Sequence, residues 1–369
     1  MDMTAFFADP RRRNLAILAA AALLSILLAI LALWHQASFG QGGTTPTEFL
    51  PGFAKDVHSA ARIHIASGEN QFDVVFVPEK GWVVPERDNY PASYDLVQRT
   101  LVGLAALQTV EPKTARPDWL HYLGLETPPL GPGIAIAVSD DKGRQMASII
   151  TGKTEDIGDS TGATGLFVRR AGENQSWLVR SVLDPRASLT DWLDKKVLAV
   201  DRARIQETDI DPAGSPSFIV HRATPSDPDF ILSPIPAGKS VSDPAIPDGV
   251  AAAITDFGFD DVRPARELDF SNPTTTARVT TKTFDGLEVT ANVVKQGADY
   301  WVTLTAQALD AGRPDAEKEA ATINARAVGW AYKVPAFKGQ LFMTTLDSLL
   351  KAPPAPPPQA TMPGGMPAP

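Results

Sequence analysis

The sequence predicts an α+β protein in which one N-terminal transmembrane helix precedes two similar αβ units with mostly antiparallel sheets, followed by a proline-rich tail. Three observations predict it. Residues 15–34 form an apolar run without a charge, short alternating segments bounded by turn residues dominate the body, and the order strand, strand, helix, hairpin occurs twice.

The run at 15–34, LAILAAAALLSILLAILALW, contains one hydroxyl, Ser25, which can bond back to its own helix. At about 1.5 Å per residue it spans about 30 Å, the hydrocarbon thickness of a bilayer. Leu15, Ile17, Leu24, Leu28 and Leu33 are read as anchor residues, and Trp34 falls where an interfacial aromatic would. Arg11, Arg12 and Arg13 stand immediately before the run, whereas the next Lys or Arg after it is Lys55. The positive-inside rule therefore leaves residues 1–14 in the cytoplasm and exports the body, which in a bacterium means an inner-membrane anchor and a periplasmic body. The rival reading is a cleaved signal peptide. Its apolar region is normally shorter, about 7–15 residues, and cleavage after Ala37 would put bulky His35 where a small residue is wanted. An uncleaved single-pass anchor is expected.

Residues 35–54, with QGGTTP and Pro51-Gly52, read as a linker. The first αβ unit is assigned to 55–205. Strands are expected at 61–66, 72–77 and 81–84. An amphipathic helix with Pro91 in its first turn should bury Tyr94, Val97, Leu101, Leu104 and Leu107. Further strands are expected at 133–138, 145–151, 166–170 and 176–179, with a hairpin at Asp140-Asp141-Lys142-Gly143. The second unit, 206–351, repeats the order. Its strands are expected at 218–221 and 230–232, its helix at 248–257, and its hairpin strands at 275–281 and 287–294 around Phe284-Asp285-Gly286. Gly143 to Gly286 is a step of 143 residues and Phe72 to Phe218 one of 146, which suggests an internal duplication. A more polar helix at 314–330 and the segment TTLDSLLKA complete the body. Residues 352–369, APPAPPPQATMPGGMPAP, are dense in proline, which blocks helix and ladder and favours an extended, disordered tail.

Composition narrows the chemistry. Of 369 residues, 44% are hydrophobic, enough for a real core, and the length suits two ordinary domains beyond the anchor. The net charge is −9, and because residues 1–14 carry +1, the remainder carries −10. Nucleic acid and anionic lipid headgroups both reward clustered Lys and Arg, so neither is an expected partner. The chain has no cysteine, which removes disulfides, thiolate metal sites and cysteine nucleophiles together.

No catalytic, cofactor or metal site is assigned. Gly158-Asp159-Ser160-Thr161-Gly162 matches G-x-S-x-G, but a polar stretch precedes it and a strand follows, where a nucleophile elbow needs a hydrophobic strand and then a helix. Gly152-Lys153-Thr154 resembles the end of a phosphate-binding loop, yet Ala147 stands where the earlier glycine belongs, and a turn is expected. The five histidines lack the pairing of zinc sites. Asp140-Asp141 and Asp260-Asp261 are read as solvated turn charges, and Trp82, Trp119, Trp177, Trp192, Trp301 and Trp330 as core.

The strand-rich start, GWVVPERDNYPASYDLVQRTLVGLAAL at 81–107, the YLGLETPP segment at 122–129, and the hairpin leading to IITGKT and GLFVRR resemble the family called domain of unknown function 4340. The likeness is strongest over residues 60–210. It implies a protein anchored by one N-terminal helix and exported, in a family some of whose members look like auxiliary subunits of ATP-binding-cassette transporters, including ones linked to gliding motility. It supplies no catalytic residues.

The expected function is therefore that of a membrane-tethered, non-enzymatic periplasmic protein which binds a membrane or envelope protein, such as an ABC-type transporter. The alternatives are a ligand-binding or hydrolytic domain using a cleft between the two halves, and a structural spacer.

Overall fold

The computed structural model describes residues 47–158, 162–272, 274–310 and 312–351. The expected anchor from Leu15 to Trp34, its flanking Arg11, Arg12 and Arg13, and the tail at 352–369 lie outside the described residues. Among the described residues no helix is long and apolar enough to cross a membrane.

The architecture is α+β, with mostly antiparallel sheets and few helices. One sheet holds β1 (Thr47–Glu48), β2 (Ala60–Ser67), β3 (Asn70–Val77), β4 (Gly81–Val84), β5 (Tyr90–Pro91), β6 (Gln108–Pro112), β7 (Ile134–Asp140), β8 (Gln145–Glu155), β9 (Thr164–Arg170) and β10 (Ser176–Ser181). Its strand order is β1-β6-β10-β9-β8-β7-β2-β3-β4-β5. Then come β11 (Ile205–Pro212), β12 (Phe218–His221), β13 (Ile231–Ser233), β14 (Ser240–Val241), β15 (Asp261–Pro264), β16 (Thr276–Thr283), β17 (Leu287–Gln296), β18 (Asp299–Ala308), β19 (Trp330–Val334) and β20 (Leu350–Lys351). The second sheet runs β13-β12-β11-β16-β17-β18-β19-β15, while β14 pairs with β20.

The two sheets share one strand order. Without its end strands β1 and β5, the first reads β4-β3-β2-β7-β8-β9-β10-β6, and element for element this is the order of the second. The hairpin turns match in detail as well. Gly143 and Gly286 both have positive φ, 78° and 91°, which glycine adopts without a Cβ penalty. Their N–H groups donate to Asp140 O and Thr283 O, each at 3.1 Å. A side-chain oxygen then closes each turn: Arg144 N–H donates to Asp140 Oδ1 at 2.8 Å, and Leu287 N–H to Thr283 Oγ1 at 2.9 Å.

Alternation decides the faces of the second sheet. Leu287, Val289, Ala291 and Val293 of β17 point inward with Ala277 and Val279 of β16, whereas Arg278, Thr280, Lys282, Thr290 and Asn292 stand on the outer face. The longer helices are α1 (Tyr94–Ala105), α2 (Ile246–Ala251), α3 (Pro314–Ala327) and α4 (Ala336–Phe342), and the last three pack on the second sheet. In α3 the buried stripe is Ala316, Ala320, Ile323 and Ala327, and its three alanines admit β18 closely. Asn324 then bonds both polar groups of Ala306, accepting from its N–H at 2.8 Å and donating to its O at 2.7 Å.

Several expected elements shift. Pro91 lies in β5, and α1 is started by Ser93, whose backbone O accepts from Val97 N–H and whose Oγ accepts from Leu96 N–H. Tyr94 is exposed, and the buried stripe is Leu96, Val97, Thr100 and Leu104. The helix expected at 248–257 is α2 followed by a 3₁₀ turn, Ala252–Ile254, and the chain then breaks at Asp256 with φ 46°. The helix beginning at Pro314 ends at Ala327, because Gly329 turns the chain with φ 80° into β19.

By compactness the chain divides into two units. One comprises the described part of Met1–Ala60 with Ala66–Asn70 and Thr100–Pro185, and the other Ala61–Ile65, Gln71–Arg99 and the described part of Arg186–Pro369. Within the second unit, the β4–β5 hairpin is held by rings and charges. Tyr90 meets Trp330, Phe259 and Tyr332 edge-on at centroid distances of 5.0, 6.1 and 6.3 Å, and donates its hydroxyl to Asp194 O at 2.9 Å. Arg87 binds Asp261 through two bonds, 2.6 and 2.9 Å, and Arg266 binds Asp88 at 2.9 Å.

The end strand β15 of the second sheet has its outward backbone donors taken or missing. Ala265 N–H donates to Gly329 O, so alternation turns Val262 N–H outward in β15. That group donates to Asp261 Oδ1 at 2.8 Å, and Pro264 has no N–H. On either side of the short β13, Phe230 N–H donates to Asp248 Oδ1 at 2.8 Å and Pro234 has no N–H, which limits that edge to three residues.

Candidate functional site

An open concavity on the second unit has a volume of about 650 Å³. Its floor is the outer face of the second sheet, where Arg278 of β16 pairs in register with Asp211 of β11 and Asn292 of β17. One wall is the β11–β12 turn from Ala213 to Pro216, and the other is Phe270 with Ser271. Phe270 packs on the cluster of Val294, Trp301 and Ala331, and Arg263 stacks over Trp301 at 3.8 Å, so this wall is fixed by burial behind it.

Arg278 Nε donates to Asn292 Oδ1 at 3.2 Å, and its terminal nitrogens make no hydrogen bond among the described residues. The groove therefore offers cationic donors, the Asp211 carboxylate and an amide along one open channel. Ser215, Ser271 and Thr276 are its hydroxyls, and no histidine lines it. Ser271 donates to Asp269 at 2.6 Å, and its hydroxyl and N–H hold that carboxyl below the usual range, which makes it a poor base. Alternating donors and acceptors in an open channel suit an extended polypeptide better than bond-breaking.

A second surface belongs to the first unit. Residues 116–130 form a cover whose inner side, Leu120 and Leu125, packs on Ile150 of β8 with Leu123, Ala135 and Phe167 around it. Its outer side exposes Trp119 by 48%, Tyr122 by 65% and Leu130 by 86%. Arg169, only 5% exposed, pins the cover by donating to Leu125 O at 2.7 Å, Glu173 O at 3.0 Å and Thr127 Oγ1 at 2.5 Å, and burial pushes its guanidinium pKa down. The expectation of a core tryptophan at 119 is corrected: the ring lies outside, under the Arg116 guanidinium at 4.8 Å.

The other singled-out residues resolve into structural roles. Gly152-Lys153-Thr154 is in β8, not a turn. Gly152 leaves room for Leu123 O of the cover, and Lys153 Nζ donates to Tyr122 O at 2.9 Å. Asp140 is buried in its turn. Burial raises its pKa, but the N–H groups of Arg144 and Lys142 and the Arg144 guanidinium outweigh that and lower it. Asp261 is the ion-pair partner of Arg87 rather than a solvated charge. Ser160 lies outside the described residues. His64 bonds Asp73 at 2.9 Å, and among the described residues no group of three or more His, Asp or Glu could hold a metal.

Arg222 was not singled out by sequence. It is buried and donates to Ile205 O at 2.8 Å, Arg202 O at 2.9 Å and Ala203 O at 2.6 Å, with its guanidinium 4.8 Å from the Phe230 ring. An arginine whose partners are backbone carbonyls carries no charge pattern by which sequence could find it.

The family model of a domain of unknown function (DUF4340) matches residues 82–280, more than half of the chain. The chain belongs to that family. The DUF4340 match runs from Trp82 in β4 to Thr280 in β16, so it takes in the cover, Tyr90 with its partners Phe259 and Asp194, and most of the groove, while Trp330 and Tyr332 lie beyond it. No curated protein and no solved structure matches the chain.

Proposed function

We propose that this DUF4340 protein is a membrane-tethered, non-enzymatic periplasmic subunit that seats an extended segment of another membrane or envelope protein, such as an ABC-type transporter, in the groove of its second sheet. The observation that carries the proposal is the open channel of about 650 Å³, floored by Asp211, Arg278 and Asn292, with two guanidinium nitrogens left for an incoming carbonyl or carboxylate. The tether is the apolar run at 15–34 behind Arg11, Arg12 and Arg13. The fill of rings and ion pairs around Tyr90 speaks against a ligand cleft at that place.

The two αβ halves are proposed to be copies of one ancestral unit. The shared strand order of the sheets and the matching turns at Gly143 and Gly286 support this. The test of the binding reading is photocrosslinking in cells from Ser215 and from Ser271, with Asp156 as control. Recurrent capture of one membrane or envelope protein from the groove positions, lost in Arg278→Glu, is the expected outcome. Equal capture from all three positions would sink the proposal.

A further inference from the structure

We propose that the cover at 116–130 rests on the lipid bilayer, giving the protein a second, peripheral membrane contact besides its tether. The inference rests on the tethered reading above. Its first support is topological. β1 is antiparallel to β6, with Thr47 opposite Thr109 and Glu48 opposite Gln108. β1 therefore enters the sheet from the Pro112 end of β6, the end from which the chain continues into the cover. The cover's floor lies at that same end: Pro112 pairs with Trp177, Trp177 with Val168, and Val168 with Thr151, next to Ile150 under the cover.

The second support is length. Twelve residues separate Trp34 from Thr47, and twelve extended residues reach at most about 40 Å. β1 and the cover belong to the same compact unit, and a unit of about a hundred residues has a radius of gyration of only about 13 Å. The cover is thus within reach of the surface from which the tether emerges.

The third support is chemistry. Trp119 and Tyr122 are three residues apart on one turn and face outward with Leu130, while Leu120 and Leu125 face inward. Exposed aromatic rings beside a projecting leucine suit the headgroup boundary, where an amphipathic ring keeps its polar edge wet. Arg116 is paired with Asp118, so the rim has little net charge, and contact is expected to depend on apolar burial rather than on anionic lipid.

The chain has no native cysteine, so a single probe can be placed cleanly. The 369-residue chain with Leu130→Cys carrying an environment-sensitive fluorophore is reconstituted in phosphatidylcholine vesicles doped with shallow spin-labelled lipid. Asp156→Cys, on the β8–β9 connection at the opposite end of the strands, is the reference. Quenching at 130 at least about twofold above that at 156 is expected for an interfacial residue. It should be unchanged by adding anionic lipid and lost in Trp119→Ser/Tyr122→Ser. Equal quenching at both sites in protein that floats with the vesicles overturns the bilayer contact alone. A label at 130 that is shielded from water but not quenched by lipid also overturns it, and assigns the surface to a protein neighbour. Protein that does not float overturns the tether, and this proposal with it.

Discussion

At residue scale, single buried or crowded charges carry the sharpest consequences. Asp209 lies on the outer face of β11 between Glu207 and Asp211, and burial, then those two carboxylates, raise its pKa. A carboxyl whose folded pKa is raised destabilises the fold when charged. That penalty is complete above the folded pKa and is relieved as pH falls through it toward the unfolded value. Asp209→Asn should therefore stabilise the protein at pH 7, by at most about 1 kcal/mol because the group is partly exposed. The gain should shrink toward pH 4; urea unfolding at the two pH values checks this, and a gain that grew on acidification would contradict it. Arg169 offers the opposite case. Arg169→Met leaves the carbonyls of Leu125 and Glu173 without their donor, at an expected cost of about 2–4 kcal/mol. Faster amide exchange confined first to residues 120–127 would show that the loss acts through the cover.

At the scale of elements, β15 shows how the second sheet avoids extending itself at one edge. Val262 spends its N–H on Asp261 and Pro264 has none, so β15 offers no adjacent pair of outward donors. Asp261→Ala/Pro264→Thr should restore a competent edge. A rise in mean mass with concentration, relative to the parent protein by sedimentation velocity, is the expected readout, and an unchanged mass would mean the edge is closed by other means. Strand existence was largely legible in the sequence, because β16 and β17 alternate apolar and polar residues and β3, β4, β8 and β12 are short apolar, β-branched or aromatic runs between turn signals. β1, β5, β14 and β20 have two residues each, too few for any period to show. β15 and β19 are held by pairing across long sequence distances, which no local pattern reports. The cover was misread at Trp119 for a related reason: inner and outer faces are both apolar, so hydrophobicity cannot say which ring is buried.

For the whole molecule, the decisive fact is that residues 71–99 group with 186–351. A chain comprising residues 206–351 alone would lack Tyr90 against Phe259, Trp330 and Tyr332, and would lack Arg87 and Asp88 as partners of Asp261 and Arg266. It is expected to give no cooperative urea transition, whereas the full chain gives one. A sigmoidal transition with an undiminished slope in the fragment would refute this. The sequence by itself determined the α+β class, the family and the repeated order of elements, because each is written in local periodicity, in turn glycines such as Gly143 and Gly286, and in motif order. It left the groove unseen, since Asp211, Arg278, Asn292 and Phe270 meet only when β11, β16 and β17 pair in one register. Tertiary structure alone decided that meeting, the grouping of β3–β5 with the second sheet, and the outward turn of Trp119, because each depends on contacts between residues far apart in the chain.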